Sequence, residues 1–160
     1  MQRRMLAAAV LASLGVAGPV ALAQGATLGT VFGGVTAQDY PVVIQMSKTF
    51  RKVVRADIGL DLACQMPPDI TIPDGVKNIT VSKSGSFAAA QPVTRVPADP
   101  VAGVPALDIS ARLTGRVNKA HTSIKGTWQR KVVIYNPADP TATQILDTCD
   151  TGVLHYTAKN

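Results

Sequence analysis

The sequence predicts an all-β fold, an antiparallel β-sandwich of about seven to nine strands. Three observations predict it. Apolar and polar residues alternate with a period of two in segment after segment, as they do in strands with one buried and one wet face. Clusters of Pro, Gly, Asn, Asp and Ser separate those segments at short intervals. All ten acidic residues are aspartate and none is glutamate. That bias disfavours helices, because Glu is a good helix former whereas Asp competes for the backbone and prefers turns and caps.

The first element is not a strand. Met1-Gln2-Arg3-Arg4 is a basic start, an uncharged apolar run follows to Gly18, Pro19 ends it, and Ala21-Leu22-Ala23 offers small residues for signal peptidase. Residues 1–23 therefore read as a helical, cleavable secretory signal peptide, and residues 24–160 as one β-sandwich domain of common size. An uncleaved anchor is the alternative, but the run is Ala-rich and broken by Gly15, Gly18 and Pro19, whereas a spanning helix wants about 20 strongly apolar residues. No cysteine stands at the cleavage point itself to accept a lipid, and residues 156–160 carry no apolar tail, so the mature chain is expected to be soluble, with no membrane span.

Within the mature chain, strands are expected at residues 30–36, 42–46, 54–64, 77–82, 107–117, 124–134 and 152–158. The clearest is 107–117, where Leu107, Ile109, Ala111, Leu113 and Val117 alternate with Asp108, Ser110, Arg112, Thr114 and Arg116. Val54, Ala56, Ile58, Leu60, Leu62 and Cys64 alternate likewise, which turns the Cys64 thiol inward. Trp128 shares parity with Ile124 and Val132 and belongs to the core. Turns are expected at residues 66–69, 73–75, 83–86, 118–121 and 136–140, so that 107–135 forms one long hairpin. The Pro, Ala and Val-rich stretch 88–106 reads as a long connection. The arrangement is immunoglobulin-like or similar, with a barrel as second choice; a membrane barrel is excluded by the lack of aromatic girdles, since the chain has one Trp, three Tyr and three Phe.

Cys64 and Cys149 are the only cysteines, and in an exported chain an even pair closes a disulfide. The bridge would tie the third strand to the start of the last. A loop of that length is worth about 4 to 5 kcal/mol in the closure-entropy account. A redox pair would lie closer in sequence beside basic groups, and the distant His121 and His155 do not complete a zinc ligand spacing with the cysteines. No metal and no cofactor is therefore expected.

Two of the 16 basic residues, Arg3 and Arg4, leave with the leader, which lowers the net charge from +6 to +4. The remaining cations are scattered, with only residues 48–55 dense enough for a local patch. Nucleic-acid binding wants a denser basic stripe with interleaved aromatics, so a weak attraction to anionic envelope polymers is the better reading. Asp150-Thr151-Gly152 matches the aspartic protease triplet but has only residues 153–160 after it, too few to build a cleft, and reads as a turn into the last strand. No Gly-x-Ser-x-Gly elbow accompanies either histidine. Asp57 and Asp61 share one strand face, explained by exposed cross-strand pairing. Asn78-Ile79-Thr80 fits a glycosylation sequon, but the leader is bacterial in type. Tyr40, Tyr135 and Tyr156 are candidate sugar contacts.

Several segments look familiar together: Phe32-Gly33-Gly34-Val35-Thr36-Ala37-Gln38 followed by Tyr40-Pro41-Val42-Val43, Leu113-Thr114-Gly115-Arg116-Val117, Gly126-Thr127-Trp128, and Asp147-Thr148-Cys149-Asp150-Thr151-Gly152. Across nearly the whole mature chain they resemble small secreted β-sandwich proteins of soil actinobacteria that have no assigned function, apart from Ala37, where those sequences tend to have serine. The resemblance implies export, a sandwich and the disulfide, and supplies no catalytic residue. The expectation is a secreted, non-enzymatic domain of the cell envelope that binds an envelope polysaccharide or a surface protein. A small hydrolase is the alternative; it requires a concave pocket that brings His121 or His155 beside Asp57, Asp61 or Asp150. A purely structural envelope component is the third reading.

Overall fold

A computed structural model describes residues 28–99, 101, 103–139 and 141–160, so the expected signal peptide, residues 1–23, lies outside the described part. The described residues contain nine strands and no helix: β1 (Leu28–Thr36), β2 (Pro41–Ser47), β3 (Lys52–Cys64), β4 (Ile70–Thr80), β5 (Ser86–Val96), β6 (Leu107–Val117), β7 (Ser123–Tyr135), β8 (Ile145–Asp150) and β9 (Leu154–Lys159). Every pairing between them is antiparallel, in the order β4-β3-β2-β1-β9-β7-β6-β5, and β8 pairs with both β3 and β7.

The alternation that predicts the strands also builds the core. Ile44 and Met46 of β2, Leu60 and Leu62 of β3, Leu113 of β6, and Ile124 and Trp128 of β7 are all buried in one cluster. Each aliphatic side chain so buried contributes about 1.5 to 3 kcal/mol. The sheet thus doubles over, with β4 to β1 on one side of the core and β9 to β5 on the other. Strand β8 sews one side of this sandwich shut through Cys64↔Cys149 and Val132↔Cys149 pairing. The chain crosses the opposite side between β4 and β5, where Val81 donates to Arg51 and Ser82 to Ser86.

Two side chains complete the seam. On β3, β2 pairs as far as Ile58 and β8 begins at Ala63. Between them the Gln38 amide takes the place of a strand backbone, accepting from Asp61 N–H at 3.0 Å and donating to Asp61 carbonyl oxygen at 3.1 Å. Buried Asp147 accepts N–H bonds from Gln65, Met66 and Thr148 beside the disulfide.

The 107–135 hairpin forms as expected, turning between Asn118 and Thr122. Four expectations are corrected. Residues 88–106 are not one long connection, because β5 occupies 86–96 as an edge strand. Pro92 is accommodated there at a register shift between Gln91 and Thr94. Pro73-Asp74-Gly75 is not a turn but part of β4, the other edge. Val53 rather than Val54 is buried, because a bulge between Gln45 and Met46 reverses the parity of β3 at that point. Cys149 lies in a separate strand, β8, and not at the start of the last.

Inside the sandwich, Tyr156 reaches from β9 across Gly126 of β7 and Gly115 of β6, which are its in-register neighbours, and donates to the Thr114 carbonyl at 3.0 Å. A methyl group at Gly115 or Gly126 would come within 2.6 or 2.5 Å of the Tyr156 hydroxyl, so this close approach requires glycine. Burial pushes the Tyr156 phenol far above its ordinary range. Toward the open side, Arg130 of β7 meets Asp74 of β4 with Nη1 3.1 Å from Oδ2, and their side chains are only 13% and 12% exposed. The Arg130 guanidinium also donates to Gln91 of β5.

Candidate functional site

Antiparallel topology brings every second connection to the same end of a sandwich. Here the β2–β3, β4–β5 and β6–β7 turns gather there, and they share one geometry. Phe50 N–H donates to Ser47, Gly85 to Ser82 and His121 to Asn118, and each donor residue has a positive φ, of 55°, 83° and 56° respectively. This is a tight turn followed by one left-handed residue. Gly85 adopts that conformation freely. Phe50 does not, since a bulky side chain at positive φ is an outlier that local structure alone does not favour, whereas histidine is among the residue types enriched there.

What the two left-handed residues achieve is side-chain placement. Their rings stack with centroids 4.1 Å apart and planes 14° from parallel. Phe50 also meets core Phe32 edge-on at 6.4 Å, so the stack is anchored to the interior. The His121 carbonyl accepts from the Asn160 side chain at 2.9 Å, and Asn118 holds the turn through Thr122 N–H at 2.8 Å.

The three turns enclose a cleft of about 920 Å³. Its cations are Arg51, Lys83, Arg116, Lys119 and Lys125. Hydroxyls come from Thr49, Ser82, Ser84 and Ser123, and the lining contains no carboxylate. Ser82 and Ser84 are 2.8 Å apart, a hydroxyl pair at the rim. Like charges grouped in a concave, low-dielectric surface focus their field, so the cleft attracts anions. The stacked rings add an apolar platform beside that charge.

The sequence-predicted groups are distributed otherwise. Cys64 and Cys149 are joined in a disulfide spanning 85 positions of sequence. His121 lies in the cleft, while His155 is exposed on β9 opposite Thr127. Asp57 pairs with Arg55 on the outer face of β3. Asp61 accepts from Tyr40 at 2.8 Å and from Thr71. Asp150 accepts from Gly152 N–H at 2.6 Å, capping the kink at Gly152 (φ 59°) that separates β8 from β9. A smaller pocket holds Asp150 with Arg112, Gln129 and Lys131, and its lining includes no histidine. The juxtaposition of histidine and aspartate that the hydrolase reading requires is not formed in either pocket.

None of the three tyrosines is placed as a free platform for sugars. Tyr156 is buried, and Tyr40 is tied to Asp61. Tyr135 donates to Asp108 at 2.8 Å beneath the Arg95 guanidinium, whose carbon lies 4.3 Å from the ring centroid. Arg95 holds the Asp108 carboxyl below its ordinary value, with help from the Tyr135 hydroxyl. Phe50 and the turn cations Lys83 and Lys119 were not singled out by sequence reading. Their common signal was three basic turns at alternate connections, all of which an antiparallel order sends to one end. No protein-family model and no curated protein matches this chain.

Proposed function

We propose that the chain is a secreted, non-enzymatic domain of a bacterial cell envelope that binds an anionic surface polymer in the three-turn cleft. The observation that carries this reading is the lining itself: five cations and a stacked aromatic pair with no carboxylate. Export is supported by the basic and apolar character of residues 1–23 and agrees with a disulfide, which persists in oxidising compartments. The resemblance to secreted actinobacterial sandwich proteins points the same way.

The test is titration of residues 24–160, oxidised, with a polyuronate and with an uncharged glucan of equal length. The polyuronate is expected to bind and the glucan not, with affinity falling as salt rises because exposed charges are screened beyond about 10 Å. Lys83→Ala/Lys119→Ala removes two cations worth about 1 kcal/mol each near an anionic surface, so affinity should drop roughly 20- to 30-fold. Equal binding of both polymers, or indifference to the double substitution, would sink the proposal.

A further inference from the structure

The cleft does not end at the turns. Arg116 and Lys125, which line it, face each other across β6 and β7, and their strands carry the same outer face away from it. Next along that face stand Thr114 and Thr127, hydroxyl to hydroxyl at 2.7 Å, with His155 in register beyond them on β9. Arg112 and Gln129 follow, then Ser110 and Lys131. The smaller pocket is built from Arg112, Gln129 and Lys131, so the two concavities lie at the two ends of one file of side chains. From residue 116 to residue 110 the strand advances roughly 20 Å.

Three features distinguish this file from an ordinary solvated face. Arg112, Arg116, Lys125 and Lys131 are all exposed, and among the described residues none of them forms a salt bridge. On other strands, exposed Arg55 and Arg95 are paired with aspartates, whereas exposed Lys52, Lys77 and Lys159 stand singly and form no such file. Cations alternate with hydroxyl and amide groups rather than with acids. The one acid, Asp150 opposite Lys131, stands at the far end and turns its carboxylate back to Gly152.

We infer that the cleft and this outer face form one continuous track for an extended acidic polysaccharide. The inference rests on the cleft reading and deepens it: the ligand is a chain that covers several cations in sequence, not a single anionic group. A polysaccharide fits because its anionic groups meet Arg and Lys while its ring hydroxyls meet Thr114, Thr127, Ser110 and Gln129, and a terminal ring stacks at Phe50 and His121. A polyphosphate would use the cations and leave the hydroxyls and the stack unused.

The experiment is a size ladder of polyuronate oligosaccharides titrated into the oxidised mature chain and into Arg112→Gln/Lys131→Gln, whose exposed side chains can be exchanged with the melting temperature serving as the folding control. Affinity is expected to climb with length until the oligomer covers the roughly 20 Å file and then level off. The double substitution should remove about 20-fold from the long oligomers and leave the monosaccharide uronate unchanged. If affinity does not depend on length and the double variant binds like the parent, the track is refuted while the cleft survives. Failure of every length to bind refutes both. Tighter binding of a polyphosphate ladder at equal charge refutes the polysaccharide as occupant.

Discussion

Replacing Arg130 by methionine probes how the two halves of the sandwich are held together on the side that β8 does not close. The Arg130 and Asp74 side chains keep 13% and 12% of their surface exposed, and in the native chain Asp74 also accepts from Gly75 N–H at 2.8 Å. Without the guanidinium, the carboxylate stays buried with that single donor. Breaking a buried pair from one side costs about 3 to 5 kcal/mol; the residual exposure places the value near the lower end, so about 3 kcal/mol is expected. Asp74→Leu alone should cost a similar amount for the reverse reason. The pair itself is imperfect: Arg130 Nη1 stands 3.1 Å from Asp74 Oδ2 without the alignment of a hydrogen bond, and Arg130 Nε is buried without a hydrogen-bond partner among the described groups. Each such group carries a penalty of about 1 to 3 kcal/mol, so replacing both charges by apolar residues should be nearly neutral. Urea unfolding of the parent, the two single variants and the double variant closes a cycle whose coupling energy should be at least about 2 kcal/mol. Single losses below about 0.5 kcal/mol that simply add would refute the buried-pair reasoning.

Three further outcomes are expected. Cys64→Ala/Cys149→Ala should lose about 4 to 5 kcal/mol, the closure entropy of a loop of this length, read as a lower denaturant midpoint; unchanged stability would mean that strand pairing alone holds β8. Gly126→Ala drives a methyl group into Thr114 and the Tyr156 hydroxyl, and should cost about 2 to 3 kcal/mol as overpacking, measurable as a fall in Tm that Tyr156→Phe does not reproduce in full. Asp108 and Asp139 both have folded values below the ordinary 3.8, through Arg95 and Tyr135 for one and through Thr141, Gln144 and Thr143 for the other. Their contribution is complete above 3.8 and is lost as pH falls below it toward the folded values. Stability should thus decline on acidification below that point, and Asp139→Asn should flatten the decline.

Period-two patterning revealed the strands that have one clean apolar face. The run 107–117 is the plainest case, because Ala111, Leu113 and Val117 are buried and Arg112 and Arg116 are exposed. Edge strands were harder to read. Residues 86–96 of β5 pack few side chains into the core, so nothing selected for alternation there, and Pro92 and Pro97 imitated a connection. The same holds for Pro73 and Gly75 in β4. The parity slip at Val54 follows from a bulge, which depends on the partner strand and not on β3 alone. The cleft was invisible for a different reason. Three of its five cations lie on turns separated by more than thirty residues each, and only the strand order brings Arg51, Lys83 and Lys119 together. The Phe50–His121 stack was hidden too: a turn was legible at residues 118–121, but Phe50 occupies a backbone conformation its side chain disfavours, and the two rings lie about seventy residues apart in sequence.

The ring closed by β8 has a consequence for the order in which this protein can assemble. A polypeptide is made from its N-terminus, and β1, β2, β3 and β4 can begin pairing as a meander as soon as they exist. Yet β1 finds its second neighbour only in β9, and the end of β3 finds its partner only in β8. Residues 145–159 supply both, and they also bring Cys149 to Cys64. Until that last stretch arrives, each half of the sheet presents an unfinished border on the same side. Completion of the sheet therefore waits for residues 145–159, and losing even the short β9 would leave β1 and β7 without the strand that joins them.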